Sequence, residues 1–105
     1  MRGIGCSSGI VQGEVLLVNE NNAQTIDPTG KILVAKYFEP GWIGLFVRAC
    51  GLISEKGSLL SHTAILCREM KIPAIVGAKN SLEQLQDGEL VRMDGASGEI
   101  KKLNE

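Results

Sequence analysis

The sequence predicts an α/β chain, in the broad sense that includes mixed α+β arrangements, because short apolar runs alternate with segments of helical composition. The runs at residues 31–35 (Lys-Ile-Leu-Val-Ala), 51–55 (Gly-Leu-Ile-Ser-Glu) and 74–77 (Ala-Ile-Val-Gly) are bounded by turn residues and suit strands buried on both faces. Between the last two lies a stretch of good helix formers that opens at Ser61 and meets Pro73. A second helical signal comes from Trp42, Leu45, Phe46 and Ala49, whose i, i+3, i+4, i+7 spacing puts them on one helix face.

Taken in order, residues 3–9 (Gly-Ile-Gly-Cys-Ser-Ser-Gly) are rich in turn residues. Residues 13–18 read as a strand, with residues 9–12 leading into it. Residues 19–30, with Asn21, Asn22, Asp27, Pro28 and Gly30, form a polar connection that has room for a short helical turn. The strand at 31–35 follows. Pro40 then suits the first turn of a helix running through Trp42 to Ala49. All the aromatic residues lie between Tyr37 and Phe46, and core packing is the simplest use for them. Near the end, Ser81 to Gln84 has the spacing of a capping box and predicts a short helix to about Gln86. Asp87 and Gly88 turn the chain into a strand at 89–94, and residues 94–98 turn it again into a last strand at 99–103.

The composition of 105 residues, 44% hydrophobic and 22% charged, is that of one ordinary globular domain spanning 1–105. A formal net charge of −1 gives no reason to expect nucleic acid or an anionic membrane as partner. No apolar run approaches the ~20 residues of a membrane span, and the start lacks a signal-peptide pattern, so the expected location is the cytoplasm. Cys6, Cys50 and Cys67 are odd in number and widely spaced, which argues for reduced thiols and against a disulfide framework. With one histidine and no CxxC pair, no metal site is expected.

That one histidine, His62, is the candidate on which function turns. Gly57 and Ser58 deliver the chain to Ser61, whose hydroxyl suits an N-cap, and Pro73 is expected to stop the helix. His62 therefore falls at or near the first position of a helix, where free amides and the positive end of the helix dipole favour an anion. An imidazole can also carry a group covalently. A surface or capping histidine is the commoner occupant of such a position.

Residues 57–77, Gly-Ser-Leu-Leu-Ser-His-Thr-Ala-Ile-Leu-Cys-Arg-Glu-Met-Lys-Ile-Pro-Ala-Ile-Val-Gly, closely resemble the phosphohistidine motif of the phosphoenolpyruvate-utilising enzymes. That family includes phosphoenolpyruvate synthase, pyruvate phosphate dikinase, enzyme I of the sugar phosphotransferase system and rifampicin phosphotransferase. Its pattern is roughly Gly-Gly-x-Thr-Ser-His-x-Ala-Ile-x-x-Arg-Glu-x-x-Ile-Pro-Ala-Val-Val-Gly. Ser58 stands where the second glycine is usual. Leu60 stands where many members carry threonine, and it looks like the rifampicin phosphotransferase and synthase-like branch. The resemblance extends to the Gly-rich start, to residues 39–46 (Glu-Pro-Gly-Trp-Ile-Gly-Leu-Phe) and to the Asp-Gly-x-x-Gly turn near the end.

The resemblance implies the swivelling β/β/α phosphohistidine domain, with His62 transiently phosphorylated. It implies phosphoryl contacts from Gly57, Ser61 and Thr63. Arg68, six positions on and so on another helix face, is given a structural or docking role. It further implies that ATP and magnesium bind elsewhere, on an ATP-grasp domain, and that a pyruvate/phosphoenolpyruvate barrel or another domain accepts the group. The chain has neither a P-loop nor a carboxylate cluster of its own. The alternative is a regulatory or non-catalytic phospho-acceptor that keeps the fold without turnover.

Overall fold

The computed structural model describes residues 1–59 and 61–103. Seven strands form one curled sheet: β1 (Ile4–Ser7), β2 (Ile10–Leu17), β3 (Ile32–Ala35), β4 (Gly51–Ser54), β5 (Ala74–Val76), β6 (Leu90–Asp94) and β7 (Ile100–Lys102). Three short helices accompany them: α1 (Ile43–Phe46), α2 (His62–Met70) and α3 (Ser81–Gln84). The sheet order is β1-β5-β4-β3-β2-β6-β7. Strands β2, β3, β4 and β5 run parallel, and β1, β6 and β7 pair antiparallel at the flanks. The expected α/β class, with strands packed against short helices, is what the structure has, the strands forming one curled sheet.

The side chains of the parallel strands alternate strictly between two cores. Leu33, Ala35, Leu52, Ala74 and Val76 face the helices, where Phe38, Phe46, Ala64 and Cys67 meet them. Ile32, Val34, Ile53 and Ile75 face the inside of the curl with Val15, Leu85, Val91, Met93 and Ile100. Both faces of β3, β4 and β5 are therefore covered, which is why these runs carry no polar alternation. Strands β6 and β7 cover only one face, and Leu90 and Arg92 point outward while Val91 and Met93 are buried.

The curl closes where residues 1–3 meet residues 98–100. Ile100 donates its amide to the Met1 carbonyl at 2.9 Å, and Gly3 donates to Gly98 at 2.8 Å. Gly98 takes φ +85°, and a Cβ there would lie 2.1 Å from the Gly3 carbonyl oxygen, so a side chain at this position would part the two segments.

Four local readings are revised. Residues 4–7 are strand β1, because antiparallel pairing with β5 supplies partners that the turn-rich composition hides; a register shift between Gly5 and Ser7 absorbs the irregularity. The helix predicted from Pro40 to Ala49 is a 3-10 turn at Pro40–Trp42 followed by α1, which ends at Phe46. Gly41 and Gly44 weaken it, and i to i−3 bonds from Arg48 and Ala49 replace helical ones. The predicted face nevertheless holds: Trp42, Leu45, Phe46 and Ala49 all pack on the same core, with Phe38 edge-on to Trp42 and Phe46.

The third correction concerns the end of α2, which stops at Met70, ahead of Pro73. Lys71 adopts the left-handed conformation, φ 59° and ψ 41°, its amide bonding to Arg68 and that of Ile72 to Cys67. This is the bonding of a Schellman stop built on a lysine. The fourth is Ser81, which is the first helical residue of α3 and fully buried; Asn80 precedes it in the left-handed region and no capping box forms. The Ser81 hydroxyl has no hydrogen-bond partner among the described residues, and α3 ends at Gln84. Among the described residues no helix is long and apolar enough to cross a membrane.

Candidate functional site

Parallel strands deliver their loops to one edge, and the ends of β3, β4 and β5 place residues 36–38, 55–59 and 77–80 side by side there. The β3–β4 ladder continues one step into this edge, with Glu55 donating to Ala35 and Lys56 to Lys36, both at 2.9 Å. The Ser54 hydroxyl, buried beneath, donates to the carbonyls of Lys36 (3.3 Å) and Lys56 (2.6 Å). The turn that leads to the histidine thus starts from a fixed point.

From that point Gly57, at φ +112°, swings the chain back over β5. A Cβ at Gly57 would come within 3.5 Å of Ser61 Oγ, on the side where the helix begins. Ser61 is the N-cap of α2: its backbone is extended and its Oγ accepts the amide of Ala64 at 3.3 Å. Ile65 donates to the Ser61 carbonyl at 3.1 Å, so the amides of His62 and Thr63 precede the helical ladder. His62 is the first residue of α2 and its imidazole is exposed.

Gly57, Ser61, His62 and Thr63 line one surface recess of about 320 Å³, together with Ser54, Lys56, Tyr37 and Phe38. The structure therefore brings together four of the five residues singled out in the sequence. Arg68 lies apart from this recess. Its Nη2 donates to the Leu59 carbonyl at 2.8 Å and its Nη1 to the Cys6 carbonyl at 3.2 Å, linking the histidine loop to β1. Lys56 was not singled out by the sequence reading; an exposed lysine in a turn carries no local signature, although its place between a buried strand and Gly57 was visible.

Ser58 keeps to the ordinary side of the Ramachandran map, since the only non-glycine residues at positive φ among those described are Lys71 and Asn80. The backbone thus does not require glycine at 58. The Leu60 departure lies outside the described residues. Cys67, on the inner face of α2, is fully buried, and its thiol is pushed up to about 12, by burial first and then by the neighbouring Cys6. Burial also raises Cys6 and Cys50. All three are free thiols. Among the described residues no group of three His, Cys, Asp or Glu is placed to hold a metal ion.

The arrangement, an exposed imidazole on the first residue of a capped helix in an open recess, suits a nucleophile that must reach reacting groups on other molecules. Residues 27–98 match the family described as PEP-utilising enzyme, mobile domain. Over 98 residues, 93% of its length, the chain is 41% identical to the uncharacterized phosphotransferase YvkC of Bacillus subtilis, covering 12% of that protein. Over 102 residues, 96% of its length, it is 39% identical to rifampicin phosphotransferase of Bacillus cereus, again covering 12%. The NMR structure of an Enzyme I protein superposes with a TM-score of 0.66 and 28% identity, over 80% of this chain and 34% of that one.

Proposed function

Because the chain belongs to the family of PEP-utilising enzyme mobile domains, we propose that it carries a phosphoryl group on His62 from one partner site to another. The observation that carries this reading is the position of His62, first in α2 and in one recess with Gly57, Ser61 and Thr63. In the loading step a lone pair of an imidazole nitrogen attacks phosphorus, an N–P bond forms and the P–O bond to the donor breaks, its electron pair leaving on oxygen. The unloading step reverses this with an acceptor oxygen as nucleophile. The amides at the helix start and the hydroxyls of Ser61 and Thr63 hold the phosphoryl oxygens, and Arg68 keeps the loop in shape.

The helix start contributes roughly 0.3–1 kcal/mol to an exposed anion, enough to favour a phosphoryl group but far too little to drive its transfer. Catalysis of loading is therefore assigned to a partner, an ATP-grasp domain that binds ATP and magnesium. Unloading is assigned to a pyruvate/phosphoenolpyruvate barrel or another acceptor domain.

The test is phosphoryl labelling. ATP alone should label the chain negligibly, and adding an ATP-grasp partner of the family should label His62. The phosphate should be lost in acid and survive in alkali, as a phosphoramidate does. His62→Ala should abolish labelling and Cys67→Ala should leave it. A phosphate on serine or threonine, or undiminished labelling of His62→Ala, would overturn the reading. A phosphate that forms but that no acceptor domain removes would leave a regulatory phospho-acceptor in its place.

A further inference from the structure

Two recesses open side by side at the carboxyl edge of the parallel strands. One holds His62; the other, about 410 Å³, is lined by Glu55, Lys56, Gly57, Gly77, Lys79 and Asn80. Lys56 and Gly57 belong to both, so the recesses meet along that dipeptide. Two lysines and one glutamate are among the residues that line the second recess. The glutamate carboxylate is already engaged: Glu55 Oε2 accepts the Leu82 amide at 3.3 Å. Lys56 and Lys79 are exposed, and neither forms an ion pair with another described residue.

The two lysines reach this place through the backbone. Gly77 donates to the Lys56 carbonyl at 3.5 Å and Ala78 to Ser54 at 3.1 Å, which carries the β4–β5 register into the loops. Gly57, at φ +112°, lines both recesses, and the left-handed region it occupies favours glycine. A ligand with two linked oxyanions could therefore occupy both recesses at once, with Lys56 between them.

We infer that the recess bounded by Lys56 and Lys79 is an oxyanion subsite for a second phosphate, adjoining the one that faces His62. Its role as part of the donor's footprint rests on the carrier reading; its existence as a binding site does not. The ligand class is a diphosphate, whose second phosphate meets Lys79 while Lys56 faces both.

The probes are inorganic pyrophosphate and orthophosphate, titrated into the chain at low ionic strength and followed by amide chemical shifts. Pyrophosphate should move signals both at His62–Thr63 and at Gly77–Asn80, and bind about three- to fivefold tighter than orthophosphate, as one added exposed charge contact would give. Lys79→Ala should bring pyrophosphate down to the orthophosphate level, while His62→Ala should keep the preference. Equal binding of the two anions, or a preference that survives Lys79→Ala, would overturn the subsite.

Phosphoramidate tests the carrier reading separately. The imidazole nitrogen bonds to phosphorus, the P–N bond breaks with ammonia leaving on the electron pair, and the ring proton is released. Labelling of His62 without a pyrophosphate preference removes the subsite and keeps the carrier. The preference without labelling of His62, either by phosphoramidate or by ATP with an ATP-grasp partner, keeps the subsite and removes the carrier.

Discussion

Arg68 Nη2 donates to the carbonyl of Leu59 at 2.8 Å, reaching back along the chain to the loop just ahead of His62. Its Nη1 holds the Cys6 carbonyl at 3.2 Å. One guanidinium thus spans from β1 to the histidine loop. Arg68→Ala should cost about 1 kcal/mol of global stability and speed amide exchange at Ser58 and Leu59. Arg68→Lys should not restore slow exchange, because an ammonium lacks the fork that bonds two carbonyls. Exchange rates in that loop unchanged by Arg68→Ala would show that the link is unimportant.

Lys71 ends α2 in a conformation that costs an L-residue roughly 1–2 kcal/mol, which glycine avoids. After the greater chain entropy of glycine is offset, Lys71→Gly should stabilise the protein by roughly 0.5–1 kcal/mol. For a chain of this size that raises the melting temperature by about 2–8 °C. A fall in melting temperature would mean that Pro73, and not the left-handed residue, sets the helix end.

The thiols should be inert in the folded protein. With Cys67 pushed up to about 12 by burial and then by Cys6, it holds almost no thiolate at pH 8. Iodoacetamide at that pH should leave Cys67 unmodified in the native chain and modify all three cysteines once it is unfolded in denaturant. Fast native alkylation of Cys67 would contradict the packing of α2 on β1 and β5.

Asp94 supplies the acid-sensitive turn between β6 and β7. Its Oδ1 accepts the amides of Ala96 at 2.9 Å and Ser97 at 3.2 Å, and these bonds hold the carboxyl below its ordinary 3.8. A depressed folded value means that this stabilisation is present above pH 3.8 and is lost as pH falls through the lower, folded value. Asp94→Asn, which keeps an acceptor oxygen but no charge, should lower the melting temperature slightly near neutrality and flatten the acid limb of its profile. An acid limb of the same slope in Asp94→Asn would assign it to other carboxylates.

The histidine helix was legible because its signals are local: Ser61 as cap, a run of helix formers and His62 in between. The buried runs at β3, β4 and β5 were legible for a similar reason, since strands covered on both faces advertise themselves as unbroken apolar stretches. Strand β1 was not, because Ile4 finds its partner in Val76 and its composition is that of a turn. The end of α2 was misplaced because Pro73 is a loud signal, whereas a left-handed lysine has none. Ser81 had the spacing of a cap and became a buried helical residue once Asn80 took the turn. Lys56 acquires meaning only when two recesses are seen to meet at it.

The pairing of Ile4 with Val76 also has a consequence in time. Strand β1 leaves the ribosome some seventy residues ahead of β5, the strand it pairs with among the described residues. At ~5–20 residues per second this leaves it without that partner for several seconds. Through that interval Ile4 and the edge of β1 face the surroundings. Nascent chains halted before Ala74 should accordingly cling to chaperones, and release should come when β5 arrives.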